Sequence, residues 1–219
     1  ELDFEDAVSL FAAGVKAGAA AGADLIIIET MSDCLETKAA VLAAKENSDL
    51  PVFVTNAYDA SHKLMTGASP AAMVAMLEGL HANAIGVNCS LGPEQMLPVV
   101  EELIRYASVP VIVQPNAGIP RTVGGKTIYD VDAEAFSDVM VKIAEMGTSI
   151  LGGCCGTTPE FIRLTSEKTR RIPYLPPEHK HDTIVSSYSR ALEIGNFPVL
   201  IGERINPTGK KRFKQALCE

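Results

Sequence analysis

"TSILGGCCGTTPEFI", residues 148–162, reads as the end of a buried strand, a glycine-rich turn and the start of a helix. Thr148–Leu151 is a short apolar run. Thr158 sets a hydroxyl before Pro159, the pairing of a helix cap with a proline at the first helical position. A strand that runs through a tight turn into a helix is one βα unit. Between the two stand Cys154 and Cys155, flanked by Gly152, Gly153 and Gly156. Neighbouring residues in a strand point to opposite faces. Two adjacent cysteines can serve one ligand only where the backbone leaves the ladder, a freedom that glycine supplies.

Working outward, the same unit recurs. Apolar, β-branched runs lie at 24–29 (DLIIIE), 51–56 (PVFVTN), 84–88 (AIGVN) and 109–114 (VPVIVQ), besides 148–153. Their near-continuous hydrophobicity predicts parallel strands buried on both faces. Helical patterns fill the gaps at about 33–47, 69–80, 93–107, 132–146 and 159–170, and a further helix opens the chain. Asp33 with Glu36 resembles a capping box, and Ser69-Pro70 repeats the cap-and-proline signal. Met73, Met76, Leu77 and Leu80 fall at helical spacing and read as core. Five βα units suit an α/β barrel or a doubly wound sheet, but the G-x-G-x-x-G fingerprint of the latter is absent. The prolines and mixed charge of 170–182 break the rhythm and read as a linker. Strand-like runs then restart around Ile184–Val185 and Val199–Gly202, as if a second domain began. The chain opens and closes within helical patterns, so it is expected to be part of a longer polypeptide.

Bulk composition narrows the function. The net charge of −8 argues against nucleic acid or an anionic membrane as partner. No apolar run reaches the roughly 18 residues of a membrane span. Five cysteines in a chain of this size do not make a disulfide framework. A reducing, cytoplasmic setting is expected.

The strand ends carry polar residues: Glu29-Thr30, Asn56, Asn88-Cys89, Gln114-Pro115-Asn116 and Cys154-Cys155. In a parallel barrel these ends share one face, where chemistry collects. From spacing alone three readings stay open. Cys89, Cys154 and Cys155 are three thiolates for Zn2+ with an open fourth position, or small buried hydrophobes; or the glycine loop binds phosphate at a helix N-terminus. Other candidates read as structural. Cys34 is at a helix start and Cys218 near the end of the chain. His179 and His181 are in the linker, and Lys210, Lys211, Arg212 and Lys214 form a basic run on a solvated face.

The stretches IIIETMSDCLETKAA, GVNCSLGP, VQPNAG and GGCCGTTPEFI resemble the homocysteine S-methyltransferase family, a zinc (β/α)8 TIM barrel. VLIGERINPTGKKRFKQAL resembles the start of the pterin-binding domain that follows it in cobalamin-dependent methionine synthases. The resemblance implies an α/β chain holding strands four to eight of the first barrel, followed by the first elements of a second. It divides the chain into a homocysteine-binding zinc domain at 1–175, a linker at 176–186 and the start of a pterin-binding domain at 187–219. It implies Cys89, Cys154 and Cys155 as zinc ligands. Glu29 would lie near the substrate's amino group, and Asn116 near the open metal position. Glu203 and Asn206 match the motif that opens the pterin barrel. The reaction implied is zinc-dependent activation of the homocysteine thiol for methyl transfer from methylcobalamin, giving methionine, with methyltetrahydrofolate recharging the cobalamin. The partners implied are homocysteine and the cobalamin-binding and pterin-binding domains of the same polypeptide. No D-x-H-x-x-G cobalamin motif is present in these residues. A betaine or S-methylmethionine type of homocysteine methyltransferase, or a non-catalytic zinc-stabilised module that docks a partner domain, are the alternatives.

Overall fold

The computed structural model describes residues 2–195, 197–200, 202 and 209–218. Helix α1 (Phe4–Ala20) is capped by the Asp3 carboxylate, which accepts from the Glu5 N–H, and leads into strand β1 (Ile26–Met31). Three more helix–strand pairs follow: α2 (Cys34–Asn47) and β2 (Val52–Asn56), α3 (Pro70–Gly79) and β3 (Ala84–Asn88), α4 (Pro93–Tyr106) and β4 (Val111–Gln114). A small hairpin of β5 (Arg121–Val123) and β6 (Lys126–Ile128) precedes α5 (Ala133–Glu145), β7 (Ile150–Leu151) and α6 (Pro159–Thr169). Strands β8 (Thr183–Ser186) and β9 (Ala191–Ile194) form a second hairpin, and α7 (Lys211–Ala216) ends the described chain.

The main sheet is parallel and its order, β1-β2-β3-β4-β7, is the order of the sequence. Alternate residues divide its faces. Ile26, Ile28, Val52, Val54, Ile85, Val87, Val111 and Val113 pack with the helices in one continuous core that includes Met73, Leu77, Met96, Leu103, Phe136 and Met140. Each such side chain contributes roughly 1.5–3 kcal/mol by leaving water. The other face carries Ile27 and Glu29, Phe53 and Thr55, Gly86 and Asn88, and Ile112 and Gln114 in turn along the strands. Gly86 is required there by space, because a Cβ would overlap the carbonyl oxygen of Ile112 on β4.

The expected caps are formed at Asp33, whose carboxylate accepts from the Glu36 N–H at 2.8 Å, and at Ser69, whose hydroxyl accepts from Ala72 at 3.2 Å. At Thr158 the hydroxyl makes no cap bond; its carbonyl instead accepts from Phe161 and Ile162. The β5–β6 hairpin is an element the periodicity does not reveal. Its strands are three residues long, and it closes through Gly124 and Gly125 at φ 57° and 77°, the left-handed pair a two-residue hairpin turn needs.

Helix α3 is apolar save for Glu78, since it packs in the core on one side and the β8–β9 hairpin lies against the other. The hairpin is tied down at its tip by Ser189, whose carbonyl accepts from the Ser69 N–H at 3.2 Å, and by Tyr188, which donates to Asp33. At its base Tyr106 donates to Glu193 at 2.7 Å. The expected boundary at 186/187 therefore falls at the end of β8, within one hairpin. Val199, Leu200 and Gly202 lie in irregular chain, and residue 201 is outside the described residues. The chain between α6 and β8 runs beneath the strand starts, with Leu175, Pro176 and Pro177 beside Val109, Val111 and Ser149. No described helix is long and apolar enough to cross a membrane.

Candidate metal centre

Two loops at the C-terminal edge of the sheet bring three thiols together. Cys89 follows β3 directly, with φ 61°, and Ser90 follows with φ 62°. Two successive left-handed non-glycine residues cost about 1–3 kcal/mol each and persist only where the surroundings hold them. Here the Cys89 N–H donates to the Gln114 carbonyl at 3.1 Å, and Leu91 donates back to the Cys89 carbonyl at 2.7 Å. Cys154 and Cys155 lie past the end of β7, off the ladder. The segment Pro115-Asn116-Ala117 brackets them. Cys154 donates to Pro115 at 2.8 Å, Ala117 donates to Cys155 at 2.9 Å, and the Cys155 N–H donates to Asn116 Oδ1 at 3.1 Å.

Of the three glycines in this loop only Gly156 needs a left-handed backbone, at φ 82°. Gly153 is required instead for room, because a Cβ there would lie 2.6 Å from Thr157 Oγ1, while one on Gly152 would press on Gln114 Cγ at 3.0 Å. The ring of Tyr129, just past β6, occupies the space over Gly156. Desolvation first, and then the charge of the Cys155 thiol, raise its phenol.

The result is a triangle of sulfurs. Cys89 Sγ is 3.8 Å from Cys155 Sγ, and Cys154 Sγ is 3.9 Å from Cys155 Sγ. All three lie within 4.8 Å of one another, and none is in a disulfide. Tetrahedral bonds of about 2.3 Å to zinc place sulfurs roughly 3.8 Å apart. The donor set therefore fits a soft divalent ion. Cys155 is exposed, so the triangle opens to solvent on one side. The Cys154 thiol is pushed up to about 11, first by burial and then by the neighbouring Cys89 charge.

Asn88 ties the site to the rest of the sheet. Its Oδ1 accepts from the Thr30 N–H and the Thr55 hydroxyl, both at 2.8 Å. Its Nδ2 donates to Thr30 Oγ1 at 2.6 Å and to Cys154 Sγ at 3.8 Å. One amide thus separates the end of β1, next to Glu29, from a sulfur. Glu29 itself is exposed at that strand end, while Asn116 is 2% exposed. The Gln114 side-chain oxygen is buried without a partner.

Glu203 and Asn206 lie outside the described residues. Cys34 is buried in the core, where burial and then Asp33 raise its thiol, so the helix start does not activate it. The rings of His179 and His181 lie 5.0 Å apart, tilted by 37°, in the exposed connecting chain; among the described residues the three cysteines are the one cluster suited to a metal. Tyr129 is the neighbour that motif reading missed. The Gly-Gly turn five residues before it was the available signal, since it folds a hairpin back over the site.

The family model "Homocysteine S-methyltransferase" matches residues 1–169. The methionine synthase of Mycobacterium leprae is 34% identical over 209 residues, and that of Mycobacterium tuberculosis 35% identical over 204. Each alignment covers 90% of this chain, and the chain spans 17% of the length of each relative. Among solved structures, the Escherichia coli homocysteine methyltransferase MmuM in its apo form superimposes with a TM-score of 0.63 at 24% identity, over 77% of this chain and 58% of that one. Its metallated form gives 0.59 at 26% identity, over 74% and 52%. The family match begins at the first residue and ends with α6, so it takes in every strand of the parallel sheet and all three clustered thiols: the chain belongs to the homocysteine S-methyltransferase family.

Proposed function

We propose that this chain holds Zn2+ through Cys89, Cys154 and Cys155 and presents the thiol of homocysteine for methyl transfer, giving methionine. The observation that carries the reading is the sulfur triangle, with separations of 3.8 and 3.9 Å, free thiols and one exposed corner. A structural zinc site would be closed by a fourth protein ligand, and the described residues supply only three clustered thiols. Zinc bound there would take the place of the proton on a substrate thiol that is otherwise only a few per cent ionised at neutral pH.

The protein's own part is to bind and orient. The left-handed turn at Cys89-Ser90 and the Pro115–Ala117 bracket fix the three sulfurs before substrate arrives. Glu29, exposed at the end of β1, is proposed to take the substrate's ammonium group. Asn116 is proposed to lie at the open metal position, its Oδ1 meanwhile holding the Cys155 loop. No side chain at the triangle is needed as acid or base, because the nucleophile loses its proton on binding.

The five parallel strands are proposed to be strands four to eight of a (β/α)8 barrel. The methyl group is proposed to come from methylcobalamin recharged by methyltetrahydrofolate, both carried by other domains of a longer polypeptide. The likeness to mycobacterial methionine synthases over 90% of the chain supports this donor over betaine or S-methylmethionine. The β8–β9 hairpin is proposed to belong to the connection, with a pterin-binding domain, including Glu203 and Asn206, following it. Zinc content and X-ray absorption at the zinc edge, with and without homocysteine, test the reading. Three sulfurs rising to four support it. Stoichiometric zinc whose coordination ignores homocysteine overturns the substrate-binding part, and no bound zinc overturns the whole.

A further inference from the structure

Asn88 is the most fully engaged side chain at the site and has no part in the reading above. It is 1% exposed and sits at the last position of β3, directly before Cys89. The Thr30 N–H can only donate, so the atom facing it must be the amide oxygen, which fixes the orientation of the group. The same oxygen accepts from Thr55, leaving both N–H groups for Thr30 Oγ1 and Cys154 Sγ. Two accepted and two donated bonds use the whole capacity of an amide. A group that served only to bind β1, β2 and β3 together would be served by the threonines. The fourth bond goes instead to a sulfur. Thr30, for its part, is held at φ 64°, a conformation β-branched residues avoid, immediately after Glu29.

We propose that Asn88 is a positioning residue that couples Cys154 to the Glu29–Thr30 strand end. The inference rests on the zinc reading. The amide oxygen clamps Thr30 in its left-handed conformation, and one N–H orients the Cys154 sulfur and withdraws charge from it. Metal ligand and substrate-binding strand end then move as one unit. Groups that hydrogen-bond to metal ligands in this way change metal affinity by about 10–100-fold when altered.

The test uses Asn88→Asp, which keeps shape and the accepting oxygen but loses the donors, and Thr55→Val, which removes an Asn88 contact away from the sulfur. Cobalt(II) replaces zinc as the probe, its affinity measured by competition with a chromophoric chelator. Asn88→Asp is expected to weaken cobalt binding about 10–100-fold and to move the thiolate-to-cobalt charge-transfer band to longer wavelength. Thr55→Val is expected to leave both unchanged. In metal-free protein, iodoacetamide is expected to alkylate Cys154 more slowly relative to Cys155 in Asn88→Asp than in the parent. Parental cobalt affinity, spectrum and alkylation ratio in a folded Asn88→Asp protein overturn the proposal and leave Asn88 as strand glue. Should that variant not fold, Asn88→Ser, too short to reach the sulfur, reads the same quantities. A parent that binds no cobalt overturns the zinc reading, while the alkylation ratio still decides the coupling.

Discussion

Each of Cys89, Cys154 and Cys155 supplies one corner of the triangle, and two thiols cannot hold the ion as three do. Replacing any one by serine is expected to abolish stoichiometric zinc, measured as metal content after gel filtration; a full equivalent retained by any of the three contradicts the ligand set. The metal-free protein carries a separate signature. The Cys154 thiol is raised from an ordinary 9.0 to about 11 in the folded chain, so the folded state keeps its proton longer than the unfolded one. The resulting stabilisation is fully present below pH 9 and fades as pH rises through 11. Denaturant unfolding of metal-free protein across that interval is therefore expected to show stability falling with pH more steeply than in Cys154→Ser. Parallel curves count against the raised thiol.

At the scale of elements, close approach governs the sheet. A methyl group at Gly86 meets the Ile112 carbonyl on the next strand, so Gly86→Ala is expected to cost at least about 1–3 kcal/mol, read from chemical denaturation. The β8–β9 hairpin hangs on fewer ties. Tyr188→Phe removes its bond to the Asp33 cap, and amide exchange in β8 and β9 is expected to quicken while the parallel sheet exchanges as before. The same distinction explains what could be read from the sequence. The β-branched runs at 84–88 and 51–56 became β3 and β2 almost residue for residue, and Asp33 and Ser69 marked their helices, because burial on two faces and cap chemistry write themselves locally. The β5–β6 hairpin left no such mark, its strands being short and exposed, with only Gly124-Gly125 to announce the turn. The cysteines were legible as a group. Asn88 and Tyr129 were not, because their part depends on which strand ends meet, and that is settled by the sheet and not by any local pattern.

For the whole molecule, the sheet's open margins matter. Among the described residues β1 pairs on one side only, with Ile27 44% exposed. An unpaired edge of branched residues invites another strand. These residues in isolation are expected to self-associate with rising concentration in sedimentation velocity, and Ile27→Lys to reduce it; a parent that stays monomeric throughout contradicts this. The order of the strands has a further consequence. Each strand of the parallel sheet lies beside the parallel strand made before it, so the sheet can grow in step with the ribosome, one unit settling on the last. The sulfurs do not follow that schedule. Cys89 is in place after the third strand, while its partners wait for the fifth and for α6 to close behind them. A nascent chain therefore carries Cys89 without its two partners for much of its emergence and completes the triangle only when β7 and α6 dock, so that on the zinc reading capture of the ion would mark finished folding.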